Sequence, residues 1–195
     1  CVDIEPQVFY NEALGVFYSQ EYTMNIFAIE QNNDGTIDWV GSATSQDNLR
    51  VVKMALESCQ MLCTNLNHLY GEKVSPYRSC HLNHPSTKWA RESSANFLLL
   101  VKHTEALLAE YTLRFGKIHK CQRVLEQVME LYDKSLFDLH TVTPLPLCMP
   151  DEYKSDNIVE SYRRFYASKP KVRYPSAKIP SWFKDYRGDL AYEII

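Results

Sequence analysis

The chain has 195 residues, of which 45% are hydrophobic and 12% are aromatic. This composition is typical of one globular domain with a sizeable core, and it excludes a disordered tail, a repeat array and a collagen-like chain. No apolar run approaches the roughly 18 residues that a membrane-spanning helix needs, and residues 1–6 lack the basic start of a signal peptide. We therefore expect a soluble protein that is not secreted and has no membrane partner.

The formal net charge of −3 is distributed unevenly along the sequence. Residues 1–72 carry ten acidic and two basic side chains, whereas residues 73–123 carry nine basic and three acidic ones. The basic segment also contains four of the six histidines, so its positive charge is expected to grow below about pH 6.5. This distribution favours an anionic partner such as DNA or a nucleotide, although two helices with solvated basic faces would produce the same pattern.

The hydrophobic pattern predicts a mainly α fold, with four principal helices around one core and a small N-terminal β-hairpin element. Short aromatic and β-branched runs are typical of strands and occur at residues 8–10, 16–18, 24–29 and 36–40. A turn signal at residues 32–35 precedes the last run. We divide the single domain into a β-rich N-terminal extension and hairpin (1–46), a helical core (47–168) and an extended aromatic tail (169–195).

Helical periodicity and capping residues predict four helices, at about residues 47–70, 86–115, 118–136 and 156–168. Asp47 or Ser45 is the expected N-cap of the first helix, and Asp156 is that of the fourth. Gly71 and Gly116 are the expected C-terminal stops of the first two.

A single polar stripe follows the first predicted helix at helical spacing, formed by Arg50, Lys53, Glu57, Gln60, Thr64 and Asn67. Glu57 lies among apolar neighbours and shares the stripe with two cations, so we predict that it acts as a catalytic acid or base, assisted by Arg50 and Lys53. The alternative is an ordinary Lys53–Glu57 ion pair, one turn apart on a wet surface.

Two basic segments are candidate phosphate-binding sites. The first leads a loop into a helix N-terminus, where free backbone N–H groups favour anions, and contains His81, Asn83, His84, Thr87, Lys88, Trp89 and Arg91. The second is a basic turn between helices and contains Arg114, Lys117, His119 and Lys120. Loop anchoring in the first segment, and cations that offset a helix dipole in the second, would use the same residue types.

No metal or organic cofactor is predicted. The six cysteines are expected to be reduced thiols, and the spacing of Cys59, Cys63, Cys80 and His84 matches no familiar zinc pattern. The sequence also contains no glycine-rich phosphate loop, no Gly-x-Ser-x-Gly elbow and no dinucleotide fingerprint.

Five motifs resemble, in the same order, those of a small family that recurs in tailed-phage genomes. They are MNIF (24–27), DNLRVVKMALES (47–58), HLNHPSTKWARES (81–93), EYTLRFGKIHK (110–120) and MPDEYK (149–154). The resemblance covers about residues 24–187. It implies a phage protein located in the cytoplasm of the infected bacterial host, and it supplies no activity.

A fainter resemblance connects the chain to the phage pyrimidine-dimer DNA glycosylase/AP lyase of the endonuclease V type. That mainly helical enzyme has a catalytic Glu seven residues after a basic residue, as Glu57 follows Arg50 here. Its Pro-x-Glu-aromatic-basic segment resembles the one that contains Tyr153 and Lys154, and its Pro-x-Trp-aromatic-Lys ending resembles the one that contains Trp182.

This second resemblance implies that Glu57 stabilises ring opening and assists proton abstraction. It also implies that DNA phosphates are held by His84, Lys88, Arg91 and Lys117. Enzymes of that type attack the sugar with their N-terminal α-amine and form a Schiff base. Here the corresponding segment begins at Met24, inside the chain, so either Cys1 supplies the amine, translation begins at Met24, or the lyase chemistry is absent.

The first functional hypothesis is therefore a phage DNA-acting enzyme, either glycosylase/lyase-like or base-processing, in which Glu57 is the acid or base. The second is a non-catalytic module that binds nucleic acid or an acidic partner through its basic middle. The third is an enzyme that acts on nucleotides or modified phage bases. The sequence specifies no protein partner.

Overall fold

Seven α-helices dominate the secondary structure, which is that of a computed structural model describing residues 8–11, 16–19 and 24–195. The helices are α1 (Trp39–Thr44), α2 (Asn48–Tyr70), α3 (Pro85–Glu92), α4 (Ser94–Phe115), α5 (Cys121–Leu131), α6 (Ile158–Ala167) and α7 (Phe183–Arg187). The prediction of a mainly helical protein is confirmed. None of these helices combines the length and apolar character needed to cross a bilayer.

Helix α2 lies at the centre of the fold and packs against α3, α4 and α5. Its bounds match the prediction, because the Asp47 side chain accepts a hydrogen bond from the Leu49 N–H and Gly71 adopts the left-handed conformation, φ 74°, that ends the helix. Ala55, Leu62 and other residues of α2 are fully buried. This surrounding core allows α2 to hold polar side chains away from solvent.

The predicted second helix is two helices. Ser93 is extended, with φ −145° and ψ 152°, and its side chain accepts a hydrogen bond from the Asn96 N–H, so Ser93 ends α3 and caps α4. The predicted third helix was too long, because α5 stops at Leu131 and a 3₁₀ turn, Lys134–Leu136, follows it. The fourth is capped by Asn157 rather than by Asp156.

The predicted strands at residues 24–29 and 36–40 are wrong. Residues 24–29 belong to no strand, and Met24 and Ile26 are buried in the same hydrophobic core as α2 and α4. The second run is interrupted because the Asp38 side chain accepts from two backbone N–H groups and starts α1 at Trp39. The turn at residues 32–35 does exist, between single bridge partners Gln31 and Ile37.

Two short strand pairs occur in the described residues. β1 (Val8–Asn11) pairs antiparallel with β2 (Val16–Ser19), at the two aromatic runs nearest the start of the chain. β3 (Arg173–Tyr174) pairs parallel with β4 (Glu193–Ile194) in the C-terminal tail.

The C-terminal tail lies against the helical core. Trp182 is buried and donates its indole N–H to Glu30 Oε1 at 2.8 Å, and the Tyr174 hydroxyl donates to the Ser45 carbonyl at 2.9 Å. Arg187 donates to the carbonyls of Ala167 and Lys169 just after α6. These bonds hold the C-terminal tail against Glu30, the end of α1 and the end of α6.

Candidate functional site

Glu57 is a buried carboxylate in the middle of α2. The residue is only 7% exposed, whereas the side chain of its neighbour Lys53, whose Nζ is 3.1 Å from Glu57 Oε1, is 59% exposed. Glu57 Oε2 is buried and has no hydrogen-bond partner among the described residues. Burial raises the pKa of Glu57, and the Lys53 ammonium opposes that shift. The alternative of a Lys53–Glu57 ion pair one turn apart is therefore correct about the contact, but its carboxylate end is buried rather than wet.

Lys169 places a second amine close to Glu57. It follows the C-terminus of α6, and its Nζ is 3.5 Å from the centre of the Phe165 ring. Burial, together with the positive charges of Arg50 and Lys53, lowers the pKa of Lys169 to about 8, although the Glu57 carboxylate opposes the change. A carboxyl group of raised pKa and an amine of lowered pKa therefore share one site, which is the combination that proton transfer near neutral pH requires. We name this set of residues, Lys53, Glu57, Phe165 and Lys169, the Glu57 site.

Arg50 is the third predicted catalytic residue. Its guanidinium is bonded to backbone carbonyls and is therefore not available to a substrate. Its guanidinium donates to the carbonyls of Pro170 at 3.0 Å and Lys171 at 3.3 Å, and it lies 3.3 Å from the Asp47 carboxylate. Asp47 in turn accepts a 2.6 Å hydrogen bond from the Tyr166 hydroxyl. Arg50 therefore positions the segment that carries Lys169.

A short series of contacts joins the Glu57 site to the first basic segment. The backbone of Asn25 lies beside the Glu57 carboxylate, and the Asn25 side chain donates to the Cys148 carbonyl at 3.1 Å. The Cys148 thiol is 3.3 Å from the hydroxyl of Ser86, in the first turn of α3. The Glu57 end of the polar stripe is thus connected to the first turn of α3 indirectly, through Asn25 and Cys148.

His84 caps the N-terminus of α3. Its Nδ1 accepts the Ser86 N–H at 3.2 Å, which requires an unprotonated nitrogen, and burial lowers its pKa to about 4. His103 is fully buried on α4 and its pKa is likewise lowered to about 4. The expectation that the basic segment gains charge below pH 6.5 is therefore wrong for these two of its four histidines.

Other members of the first basic segment anchor the loop. Trp89 stacks on Trp39 with ring centres 5.5 Å apart, and its indole N–H donates to the Thr143 carbonyl. Arg91 donates to the Leu82 carbonyl at 2.7 Å. Thr87 is buried and its Oγ1 has no hydrogen-bond partner in the described part of the chain. The solvent-exposed members are His81, Asn83 and Lys88.

The second basic segment also contains both side chains that are engaged within the fold and side chains that are exposed to solvent. Arg114 is buried and donates to the carbonyls of Thr44 and Gln46, so its guanidinium is not directed to solvent. His119 accepts the Cys121 N–H and packs edge-on against Tyr111. Lys117 and Lys120 are exposed, and only these two remain open to an anion in solution.

The residues taken from the second resemblance occupy different surroundings. The Tyr153 ring is 5.4 Å from Phe165, and so adjoins the Glu57 site. Lys154 is exposed and pairs with Asp151 at 2.7 Å. Trp182 is buried in the tail, with the Arg163 guanidinium 5.2 Å above its ring.

Sequence reasoning missed Lys169 and Asn25. Lys169 lies outside every motif and is one of many lysines, and only the docking of α6 and the following segment brings it to α2. The apolar run that contains Asn25 suggested a strand, whereas its backbone instead lies beside Glu57. Cys1, a candidate source of an amine, lies outside the described residues.

In residues 24–195, no three His, Cys, Asp or Glu side chains are grouped so that they could hold a metal ion. Cys59, Cys63, Cys80, Cys121 and Cys148 are all free thiols. The chain matches no protein-family model, and neither a curated protein nor a solved structure is significantly similar to it.

Proposed function

We propose that this protein is a DNA-acting enzyme, glycosylase/lyase-like or base-processing, in which Glu57 is the catalytic acid or base. One observation carries the proposal: a buried carboxylate with an unpaired oxygen lies beside the amines of Lys53 and Lys169. A buried unpaired carboxylate oxygen costs folding free energy, and such costs are concentrated at functional sites.

The environment of Glu57 suits proton transfer. Burial favours its protonated form, so Glu57 can deliver a proton to a leaving oxygen or nitrogen and afterwards recover it as a carboxylate. Lys53 extends from the buried carboxylate towards solvent and offers positive charge where an anionic backbone would approach.

Exposed cations on elements connected to the site are suited to hold phosphates. Lys88 lies in the first turns of α3 and Lys154 follows Tyr153, and both are exposed. We assign phosphate binding to Lys53, Lys88 and Lys154, together with His81 and Asn83 at the same loop. A phage origin, implied by the first resemblance, would give the protein access to DNA in the cytoplasm of an infected bacterium.

The experiment is an assay on DNA duplexes that carry an abasic site, a pyrimidine dimer or a phage-modified base. The full chain is expected to release a base or cleave the strand, and Glu57→Gln is expected to lower that rate by about 100-fold, because a general acid or base contributes about that much. DNA affinity should change little. Glu105→Gln, at an exposed position on α4, is the matched control. Wild-type rates in Glu57→Gln would remove Glu57 from the mechanism.

A non-catalytic binding module is the second candidate, and the exposed cations of residues 73–123 favour it. They are Lys73, Arg78, Lys88, Lys102, Lys117, Lys120 and Arg123. Such a module would bind DNA with an affinity that falls steeply with salt, and it would yield no product. A third candidate, an enzyme acting on free nucleotides or modified bases, predicts thermal stabilisation by nucleotides without DNA affinity.

A further inference from the structure

We infer that the ε-amine of Lys169 is the nucleophile of the Glu57 site and forms an imine with the aldehyde of an anionic sugar. This inference rests on the proposed function, which requires a reacting group beside Glu57, and it names a group that neither resemblance implied. Three independent features of the structure lead to it: the fixed backbone of Lys169, the surroundings of its amine, and the carboxylate next to it.

The backbone that carries Lys169 is held by arginines at three successive carbonyls. Arg187 donates to the Lys169 carbonyl at 2.6 Å, and Arg50 donates to the carbonyls of Pro170 and Lys171. The Lys169 N–H also closes the end of α6 by donating to the Tyr166 carbonyl at 3.1 Å. This anchoring gives the Lys169 side chain the fixed starting position that a nucleophile needs.

The Lys169 side chain lies over an aromatic surface rather than in open solvent. The Phe165 ring beneath its amine is itself packed against Tyr153 at 5.4 Å and Phe27 at 6.3 Å. The charged groups that act on the amine come from α2 and are Arg50, Lys53 and Glu57. Apolar surroundings and neighbouring cations are the two conditions that activate a lysine amine as a nucleophile.

These surroundings produce a substantial neutral fraction of the amine. With a pKa of about 8, roughly a quarter of Lys169 is unprotonated at pH 7.5, against about 0.1% for an ordinary lysine. Only the neutral form has the electron pair that attacks a carbonyl carbon.

The reaction balances with the groups present. The neutral amine adds to the aldehyde carbon, a C–N bond forms, and one amine proton moves to the former carbonyl oxygen to give a carbinolamine. Protonated Glu57 then donates its proton to that hydroxyl, the C–O bond breaks, and water leaves. The products are the iminium ion on Lys169, one water molecule and the Glu57 carboxylate, whose charge balances the new cation.

The cations of the site indicate an anionic substrate. Lys53 is exposed beside Glu57, whereas the Arg50 guanidinium is engaged with Asp47 and two backbone carbonyls. A sugar aldehyde that carries a phosphate would place its carbonyl at Lys169 and its negative charge near Lys53. An opened abasic sugar in DNA and a free deoxyribose phosphate share this chemistry.

The test uses the folded full chain, 2-deoxyribose 5-phosphate as the aldehyde and cyanoborohydride as the hydride donor that reduces the imine to a stable amine. Peptide mapping by mass spectrometry then measures labelling at each lysine. We expect Lys169 to be labelled roughly tenfold faster than exposed Lys171, since its larger neutral fraction outweighs its lower basicity. Lys169→Arg keeps the positive charge and should lose the adduct, whereas Lys171→Arg should keep it.

The outcomes separate the two proposals. Labelling of Lys169 no faster than that of Lys171 in the wild-type chain overturns the inference, and this result does not depend on how any variant folds. A borohydride-trapped DNA adduct that persists in Lys169→Arg also overturns it while leaving the proposed DNA activity intact. Selective labelling of Lys169 in a chain that yields no DNA product supports the inference and contradicts the DNA function.

Discussion

Glu110 and Arg114 form a buried ion pair one turn apart on α4, with Oε1 and Nε 2.6 Å apart and each side chain 4% exposed. Arg114 also donates to the carbonyls of Thr44, at the end of α1, and of Gln46, just before α2, and Lys178 reaches the same Glu110 carboxylate at 3.0 Å. The pair therefore connects the end of α4 to the start of α2 and to the C-terminal tail. The sequence suggested that Arg114 binds phosphate, whereas in the structure its guanidinium links α4 to the segment between the end of α1 and the start of α2.

We predict that Arg114→Met destabilises the protein by about 3–5 kcal/mol, because it leaves the buried Glu110 carboxylate with Lys178 as its remaining cation and removes the donor from the carbonyls of Thr44 and Gln46. Urea unfolding followed by circular dichroism would measure this change. Lys117→Met, at an exposed position in the same segment, should stay within about 0.5 kcal/mol of the wild type. Equal stability of the two variants would contradict the structural role of Arg114.

Tyr166 controls the position of Arg50 through Asp47. Its hydroxyl donates to Asp47 Oδ2 at 2.6 Å and accepts the Asp47 N–H at 2.7 Å. Tyr166→Phe leaves both buried groups short of a partner, so we expect a loss of about 1–3 kcal/mol. Thermal unfolding would measure it, with Tyr192→Phe in the half-exposed tail as control. A change as small as that of the control would show that this bond does not support the α2 N-terminus.

Stability should fall in acid because of His103. Its contacts fit the neutral ring protonated on Nδ1, which donates to the Trp39 carbonyl at 2.8 Å, while Nε2 faces the Gln46 amide at 3.5 Å. The folded-state pKa is lowered to about 4, so below pH 6.5 the unfolded chain binds a proton that the folded chain does not. The contribution of neutral His103 to the free energy of unfolding is complete above pH 6.5 and is lost as the pH falls towards 4. The total loss is about 3 kcal/mol.

The measurement for His103 is the free energy of unfolding between pH 4 and 7.5. His103→Gln should weaken the protein at pH 7.5 and reduce the slope below pH 6.5, because one titrating group has been removed while His84, whose pKa is also lowered to about 4, remains. His68→Gln, at an exposed position on α2, should leave the slope unchanged. An equally steep slope in His103→Gln would assign the acid sensitivity to other groups.

Glu57→Gln should make the folded protein more stable while it loses activity. A carboxyl whose folded-state pKa is raised contributes stability when protonated, and that contribution disappears as the pH rises through its folded pKa. The neutral amide avoids the cost of a buried charge, so the unfolding midpoint should exceed that of the wild type at pH 8 and approach it in acid. A lower midpoint at pH 8 would mean that the Lys53 ion pair outweighs the burial of Glu57.

Local signals in the sequence were sufficient for α2. Asp47 and Gly71 act on their own neighbours, and the apolar period between them needs no distant partner to be recognised. The break at Ser93 was missed because no glycine or proline marks it, and only the hydrogen bond to the Asn96 N–H reveals the cap. Residues 24–29 look like a strand because core burial selects the same apolar residues without requiring a paired neighbour.

Only the residues of the candidate site that lie on α2 could be predicted from the sequence. Glu57 was found because helical spacing groups it with Arg50 and Lys53 on one face of α2. Its burial and the approach of Lys169 depend on segments that are distant in sequence. Trp89 and Arg114 have residue types typical of DNA contacts, yet both are engaged inside the fold, since composition does not distinguish a binding cation from a structural one.

Arg187 bonds not only to the carbonyls of Ala167 and Lys169 but also to those of Leu190 and Ala191. One guanidinium thus ties the outer edge of the tail to the residue that carries the amine. A protease cut or a fusion placed at residues 190–191 would disturb Arg187, and through Arg187 the backbone of Lys169, although residues 190–191 are not part of the Glu57 site. The outer tail would in this way tune the reactivity of the site from a distance.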